Sequence, residues 1–227
     1  ILDEIHKEGC VWLNLTGGEP LIREDFLEIY AYAKEKGFII TIFTNGCLFT
    51  EAIINYLKKS PPCSIEITLN GITPDTYEAI TQIPGSFSKA MEVIQILAKK
   101  KLPLILKSNC LKPNKHEVGK IKRCTEELLG KPARNKYYFK YDPMIYPRLN
   151  GDKTPTNFRL SFKELLKVKK EDPDIWQEYQ KGLHSDFPDL ERDRAFLYRC
   201  NAWLSQFFIS PYGRLKFCLF WDKFSID

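Results

Sequence analysis

The 227 residues, 44% of them hydrophobic and 28% charged, match ordinary globular usage and exclude a small disulfide-stapled scaffold. At roughly 150 residues per domain, the length allows one large α/β domain with an appendage. No apolar run approaches the roughly 18 residues of a membrane span, and the net charge of +5 comes from 34 basic and 29 acidic residues scattered along the chain, so neither a membrane nor a nucleic-acid partner is expected.

The chain opens at Ile1 without a methionine, and Ile1, Leu2 and Ile5 form the apolar stripe of a helix, so it reads as a piece of something longer. Nothing resembles a secretory signal, which predicts a cytoplasmic protein. The seven cysteines are then core residues, metal ligands or nucleophiles and not a disulfide framework.

Hydrophobic periodicity predicts strands at 11–15, 38–43, 64–69, 102–107 and 136–141, with helices at 23–36, 50–59, 74–81, 86–101 and 115–129 between them. Five βα units in a row imply a parallel sheet, either open or closed as a barrel. In both, the ligand site lies at the carboxyl ends of the strands. After Tyr141 the texture changes. Residues 143–160 are rich in Pro, Gly and Asn; Ser161 with Glu164 has the form of a capping box, and 172–199 is polar and weakly helical. From Cys200 onward the chain is aromatic, and 206–209 and 214–219 form a hairpin about a turn at Pro211, Tyr212 and Gly213. The predicted division is 1–145, a connector at 146–199, and a second, incomplete domain at 200–227.

The first strand runs into Thr16-Gly17-Gly18-Glu19-Pro20. Two glycines after a strand leave backbone N–H and C=O groups unshielded, free amides suit a carboxylate, and the Glu19 carboxylate suits an ammonium. The same residues also suit a plain βα turn with a capping glutamate. Near the other end, Cys200 and Cys218 flank the hairpin turn; two thiolates brought together there can ligate one iron of a cluster, and two buried structural cysteines would look the same. Cys47 and Cys110 follow strands and read as packed thiols, as do Cys10, Cys63 and Cys124; His6, His116 and His184 have no partnered ligand spacing.

Residues 16–20 resemble the Gly-Gly-Glu-Pro motif of radical S-adenosylmethionine (SAM) enzymes. Later strand ends are similar to that family in order: Thr44-Asn45-Gly46, Thr68-Leu69-Asn70-Gly71, Lys107-Ser108 and Tyr141-Asp142-Pro143-Met144. Gly85-Ser86-Phe87 and the helix behind it fit as well. The resemblance implies an α/β fold with a partial (β/α)6 TIM-like barrel. It also implies that Glu19 with Gly17 and Gly18 holds the methionine end of S-adenosyl-L-methionine, and that Thr16, Pro20, Thr44 and Asn45 are among the residues that bind this cofactor. Thr68, Asn70, Lys107 and Ser108 would then serve its ribose and carboxylate, and Tyr141, Asp142, Met144 and Ile145 its adenine. The family's 4Fe-4S cluster is bound by a Cys-x-x-x-Cys-x-x-Cys loop, a spacing none of the cysteines here has, so its ligands are expected upstream of Ile1. Where the family usually has Asp-Gly, this chain has Asn70-Gly71, which keeps a hydrogen-bonding side chain and loses a charge.

The region from Cys200 resembles the start of a SPASM domain, which implies Cys200 and Cys218 as ligands of an auxiliary 4Fe-4S cluster. The implied function is a peptide or protein maturase. It forms a 5'-deoxyadenosyl radical with one electron from a flavodoxin or ferredoxin, and installs a thioether or carbon-carbon crosslink or epimerises a residue. Sulfatase maturation, tetrapyrrole or quinone-cofactor synthesis, and a cluster-free peptide-binding relic are the alternatives. No residue is assigned as catalytic acid or base.

Overall fold

The computed structural model describes residues 1–130, 138–148, 150–185, 205–218 and 221–226. The chain forms two compact units, Ile1–Met144 and Ile145–Asp227. Among the described residues, no helix is long and apolar enough to cross a membrane.

In the first unit a short helix α1 (Leu2–Lys7) leads into β1 (Trp12–Leu15), followed by a 3-10 turn at Pro20–Ile22 and α2 (Phe26–Glu35). The alternation continues with β2 (Ile39–Thr44), α3 (Glu51–Lys59), β3 (Ser64–Thr68), α4 (Pro74–Thr81), α5 (Ser86–Lys99), β4 (Leu104–Asn109), α6 (Val118–Leu129) and β5 (Phe139–Asp142). Caps written in the sequence start these helices. The hydroxyls of Thr50 and Thr73 accept from the N–H groups of Ile53 and Thr76, and Pro74 sits in the first helical turn, where its missing N–H costs nothing.

All five strands are parallel and lie in the order β1-β2-β3-β4-β5. Strands that neighbour in chain order and connect by right-handed crossovers place every helix on one face. A sheet covered on one side in this way curls around its other side, which is the barrel alternative and not the doubly wound one. The register separates the two faces. Ile40, Ile42, Ile65, Ile67, Leu104 and Leu106 share one face and are buried in the core with Tyr30, Ala33, Leu57, Ile94, Leu97 and Ile121 from the helices. The opposite face carries Asn14, Thr41, Phe43, Glu66, Thr68, Lys107, Lys140 and Asp142.

Two of the shifts from the expected bounds have local reasons. The fourth strand runs two residues later than expected because Lys101 adopts a left-handed φ of 55° and Pro103 has no N–H to give a ladder. The helix expected from Lys115 begins only at Val118, since the Asn114 carboxamide oxygen accepts from Leu111 N–H and holds the preceding residues in a turn.

In the second unit α7 (Phe162–Glu171) carries the expected capping box: the Ser161 hydroxyl accepts from Glu164 N–H, and Glu164 accepts from Ser161 N–H at 2.9 Å. It is followed by α8 (Pro173–Ser185). A separate antiparallel sheet has three strands, β6 (Phe208–Ile209), β7 (Leu215–Cys218) and β8 (Trp221–Ile226). Its first pair is the predicted hairpin, closed by Ser210 N–H donating to the Arg214 carbonyl at 2.8 Å; the third strand was not anticipated.

Candidate functional site

The carboxyl ends of the five strands bear the residues singled out by sequence, and hydrogen bonds tie these ends together in pairs. After β1, Gly17 adopts φ +131°, a conformation only glycine holds without strain, and a Cβ at Gly17 or Gly18 would meet no heavy atom within 4 Å. Their backbone is therefore open. Glu19 turns inward beside it. Its Oε1 accepts from Leu21 N–H at 3.1 Å and from the Thr44 hydroxyl at 2.7 Å, and its Oε2 accepts from Asn45 N–H at 2.7 Å. Pro20, buried behind it, starts the 3-10 turn. The glutamate thus joins the end of β1 to the end of β2. Thr44 continues the chain of contacts by accepting from Gly46 N–H at 3.1 Å, and a Cβ at Gly46 would press on Ile67 of β3 at 3.2 Å.

The ends of β3 and β4 are joined through amides. Asn70, buried, accepts from Asn109 N–H at 2.9 Å through its Oδ1. Asn114, fully buried, donates from Nδ2 to the Asn70 carbonyl at 2.9 Å and to the Asn109 carbonyl at 2.7 Å, with the Ser108 hydroxyl 3.5 Å away. Glu117 completes the brace from the foot of α6, accepting from Ile72 N–H at 2.9 Å and from the hydroxyls of Thr73 and Thr76, each at 3.0 Å. Burial alone would raise its pKa, yet these donors outweigh burial and, with His116 nearby, hold the carboxyl below its ordinary value. Asn114 and Glu117 were not singled out from sequence. Two side chains of that kind three residues apart, in the segment between β4 and α6, were the available signal.

The other expected residues are spread over both faces. Lys107 and Asp142 share the helix-free face with Thr68, whereas Ser108 and Tyr141 pair on the opposite face, where Ser108 is 1% exposed. Met144 is exposed, its N–H donating to Asp142 Oδ1 at 2.8 Å. Ile145 belongs to the second unit. Thr16 is half-buried at the end of β1.

Burial, aided by the Glu19 carboxylate, pushes the Cys47 thiol up, so it is protonated near neutral pH and a poor nucleophile. Cys63, read as structural, is exposed at the bend before β3, between the buried Pro62 and Ser64. No disulfide joins cysteines among the described residues, and none of the described residues forms a group of three or more His, Cys, Asp or Glu that could hold a metal ion. Cys218 lies half-buried on β7; Cys200 falls outside the described residues, and so does its predicted approach to Cys218.

The donor set fits the amino-acid end of S-adenosylmethionine. A carboxylate offers about four acceptor positions; three of those on Glu19 are occupied, which leaves one for an ammonium beside the open Gly17-Gly18 backbone. The same residues offer nothing to an iron cluster.

A family model described as the Radical SAM superfamily matches residues 1–121. Among curated proteins the chain is 30% identical over 127 residues to the AdoMet-dependent heme synthase of Methanosarcina barkeri, covering 56% of this chain and 36% of that protein. It is 30% identical over 132 residues to the PqqA peptide cyclase of Ruegeria pomeroyi (58% and 34%) and 33% identical over 98 residues to the mycofactocin maturase MftC of Mycobacterium tuberculosis (43% and 25%). The match spans about a third or less of each relative. Among solved structures, anSMEcpe with bound AdoMet superposes with a TM-score of 0.68 at 18% identity, over 99% of this chain and 65% of that one. Streptococcus suis SuiB bound to S-adenosylmethionine gives 0.72 at 14% identity, over 96% and 52%. At such identities these two establish the shared fold.

Proposed function

The chain belongs to the radical SAM superfamily, and on that premise we propose that it is the S-adenosylmethionine-binding part of an enzyme that modifies a ribosomally made peptide or protein. The observation that carries this reading is the clamp at Glu19, which fixes the open Gly17-Gly18 backbone against the end of β2. In this reading Gly17, Gly18 and Glu19 take the methionine ammonium, with Thr16, Pro20, Thr44 and Asn45 shaping the turn around it. Thr68, Asn70 and Lys107 face the ribose and carboxylate, Ser108 steadies them from behind, and residues 141–144 serve the adenine.

Bound here, S-adenosylmethionine would supply hydrogen abstraction from an unactivated carbon, once a 4Fe-4S cluster reduced by a flavodoxin or ferredoxin passed one electron to its sulfonium and the C–S bond broke to release methionine. The chain's own contribution is to bind and orient that molecule at rigid strand ends. The free thiols among the described residues suit a reducing compartment such as the cytosol. The peptide substrate is supported by the likeness to a peptide cyclase and a maturase and by the antiparallel hairpin ending in Cys218, which we assign with Cys200 to an auxiliary cluster. The test is anaerobic reconstitution of the full-length protein, followed by calorimetric titration with S-adenosylmethionine and mass spectrometry for released 5'-deoxyadenosine. Micromolar binding with release supports the assignment; absence of both removes it.

A further inference from the structure

The helix-free face of the sheet holds a charged cluster where apolar side chains would pack. Glu66 of β3 has a side chain only 10% exposed. Its Oε1 accepts from Lys140 Nζ of β5 at 3.0 Å, and its Oε2 lies 3.7 Å from Lys107 Nζ of β4. The Lys107 ammonium also stands 4.0 Å from the centroid of the Phe43 ring on β2. Strands β2 to β5 thus each contribute one member. Burying the Glu66 carboxylate costs desolvation that two partly exposed lysines repay only in part, so stability alone does not account for a glutamate here, and charged clusters of this kind favour functional clefts.

The two lysines are held differently. Lys140 makes a direct hydrogen bond to Glu66. Lys107 is beyond normal N–H···O length, so it is kept in place by charge and by the aromatic face with donors left for an incoming acceptor. Its Cα pairs with Thr68, the last residue of β3, which sets it directly beneath the strand ends. We propose that Glu66 is a positioning residue that, with Phe43, holds the Lys107 ammonium to receive the carboxylate of S-adenosylmethionine. The inference rests on the reading of the strand ends given under Proposed function.

Charge balance explains why a glutamate is needed. Burial is the largest influence on Lys107 and lowers its pKa; Lys140 lowers it further, while Glu66 and Asp142 raise it. Removing Glu66 therefore leaves Lys107 easier to deprotonate as well as less firmly placed.

The experiment compares two ligands on the full-length, anaerobically reconstituted protein: S-adenosylmethionine and its decarboxylated analogue, titrated calorimetrically from pH 7 to pH 9. Glu66→Gln should weaken S-adenosylmethionine binding about tenfold, the range of one charge-assisted hydrogen bond, with a larger loss at pH 9, and leave the analogue unchanged. Glu66→Asp, which keeps the charge, should recover most of the loss. Equal weakening of both ligands by Glu66→Gln, while Lys107→Met still affects S-adenosylmethionine alone, would overturn the role of Glu66 and leave the site reading intact. Equal weakening of both by Lys107→Met would overturn the carboxylate assignment itself. Should Glu66→Gln not fold, Phe43→Leu reads the same pair of ligands: a selective loss of severalfold supports the positioning, and an equal loss overturns it.

Discussion

Glu19 and Thr44, 25 residues apart in sequence, meet at 2.7 Å, the threonine hydroxyl donating to a carboxylate that also accepts two backbone N–H groups. A motif that reads in sequence as a ligand-binding turn is thus also the bolt between the first two strand ends. Ligand binding and local stability are coupled there.

Glu19→Gln tests that coupling. The carboxamide loses one acceptor oxygen and sets an NH2 group against a donor, so both stability and S-adenosylmethionine binding should fall, each by about 1–3 kcal/mol. Urea unfolding of the unliganded protein and calorimetry with the ligand measure the two separately. A loss of affinity with full stability would mean that Glu19 serves the ligand alone.

Glu117→Gln should destabilise the first unit by about 1–3 kcal/mol at neutral pH, because its three donors keep only one good acceptor oxygen. The carboxyl is held below its ordinary value of 4.5 when folded, so its contribution is fully present above that value and is lost as pH falls through the lower folded value. Urea midpoints of the wild type and Glu117→Gln should therefore converge as pH is lowered from 6 to 3. A constant gap would contradict the hydrogen-bonded carboxylate.

Asn70→Asp should cost less than about 1 kcal/mol, since aspartate keeps the oxygen that accepts from Asn109 N–H. Asn70→Ala should cost about 1–3 kcal/mol by leaving that buried donor unpaired. Thermal unfolding of the two variants decides, and equal losses would count against the amide brace.

Gly71→Ala should be among the most damaging single-methyl changes, because the added Cβ would stand 2.7 Å from the backbone nitrogen of Tyr77 and 3.1 Å from two atoms of Thr76. The first turn of α4 has to move, at roughly 1–3 kcal/mol. Gly18→Ala, with open space around the new methyl, should leave the urea midpoint nearly unchanged while weakening S-adenosylmethionine binding.

For the second unit, the double variant Cys200→Ala with Cys218→Ala in the full-length protein should retain fewer iron atoms per chain after reconstitution than the wild type. Iron analysis with electron paramagnetic resonance is the measurement. Unchanged iron content would return both thiols to a structural role.

Alternating apolar runs and helix-period stripes located the five strands and six helices described in the first unit, because those periods are imposed by local backbone geometry. The Gly-Gly-Glu-Pro run placed one site from sequence alone, since open backbone after a strand needs glycine. Which face each strand-end side chain takes was a matter of register: Lys107 and Ser108 are adjacent in sequence and lie on opposite faces, so only one of them can share the polar face with Glu66. The buried brace of Asn114 and Glu117 and the Glu66 cluster were likewise beyond reach of pattern. Beyond the local contacts of Asn114, their partners lie 41 to 74 residues away, and only the parallel pairing of β3, β4 and β5 brings such groups within hydrogen-bonding distance. The choice between open sheet and barrel had the same origin: strand order is a tertiary fact, set by which edge each crossover returns to, and no local period encodes it.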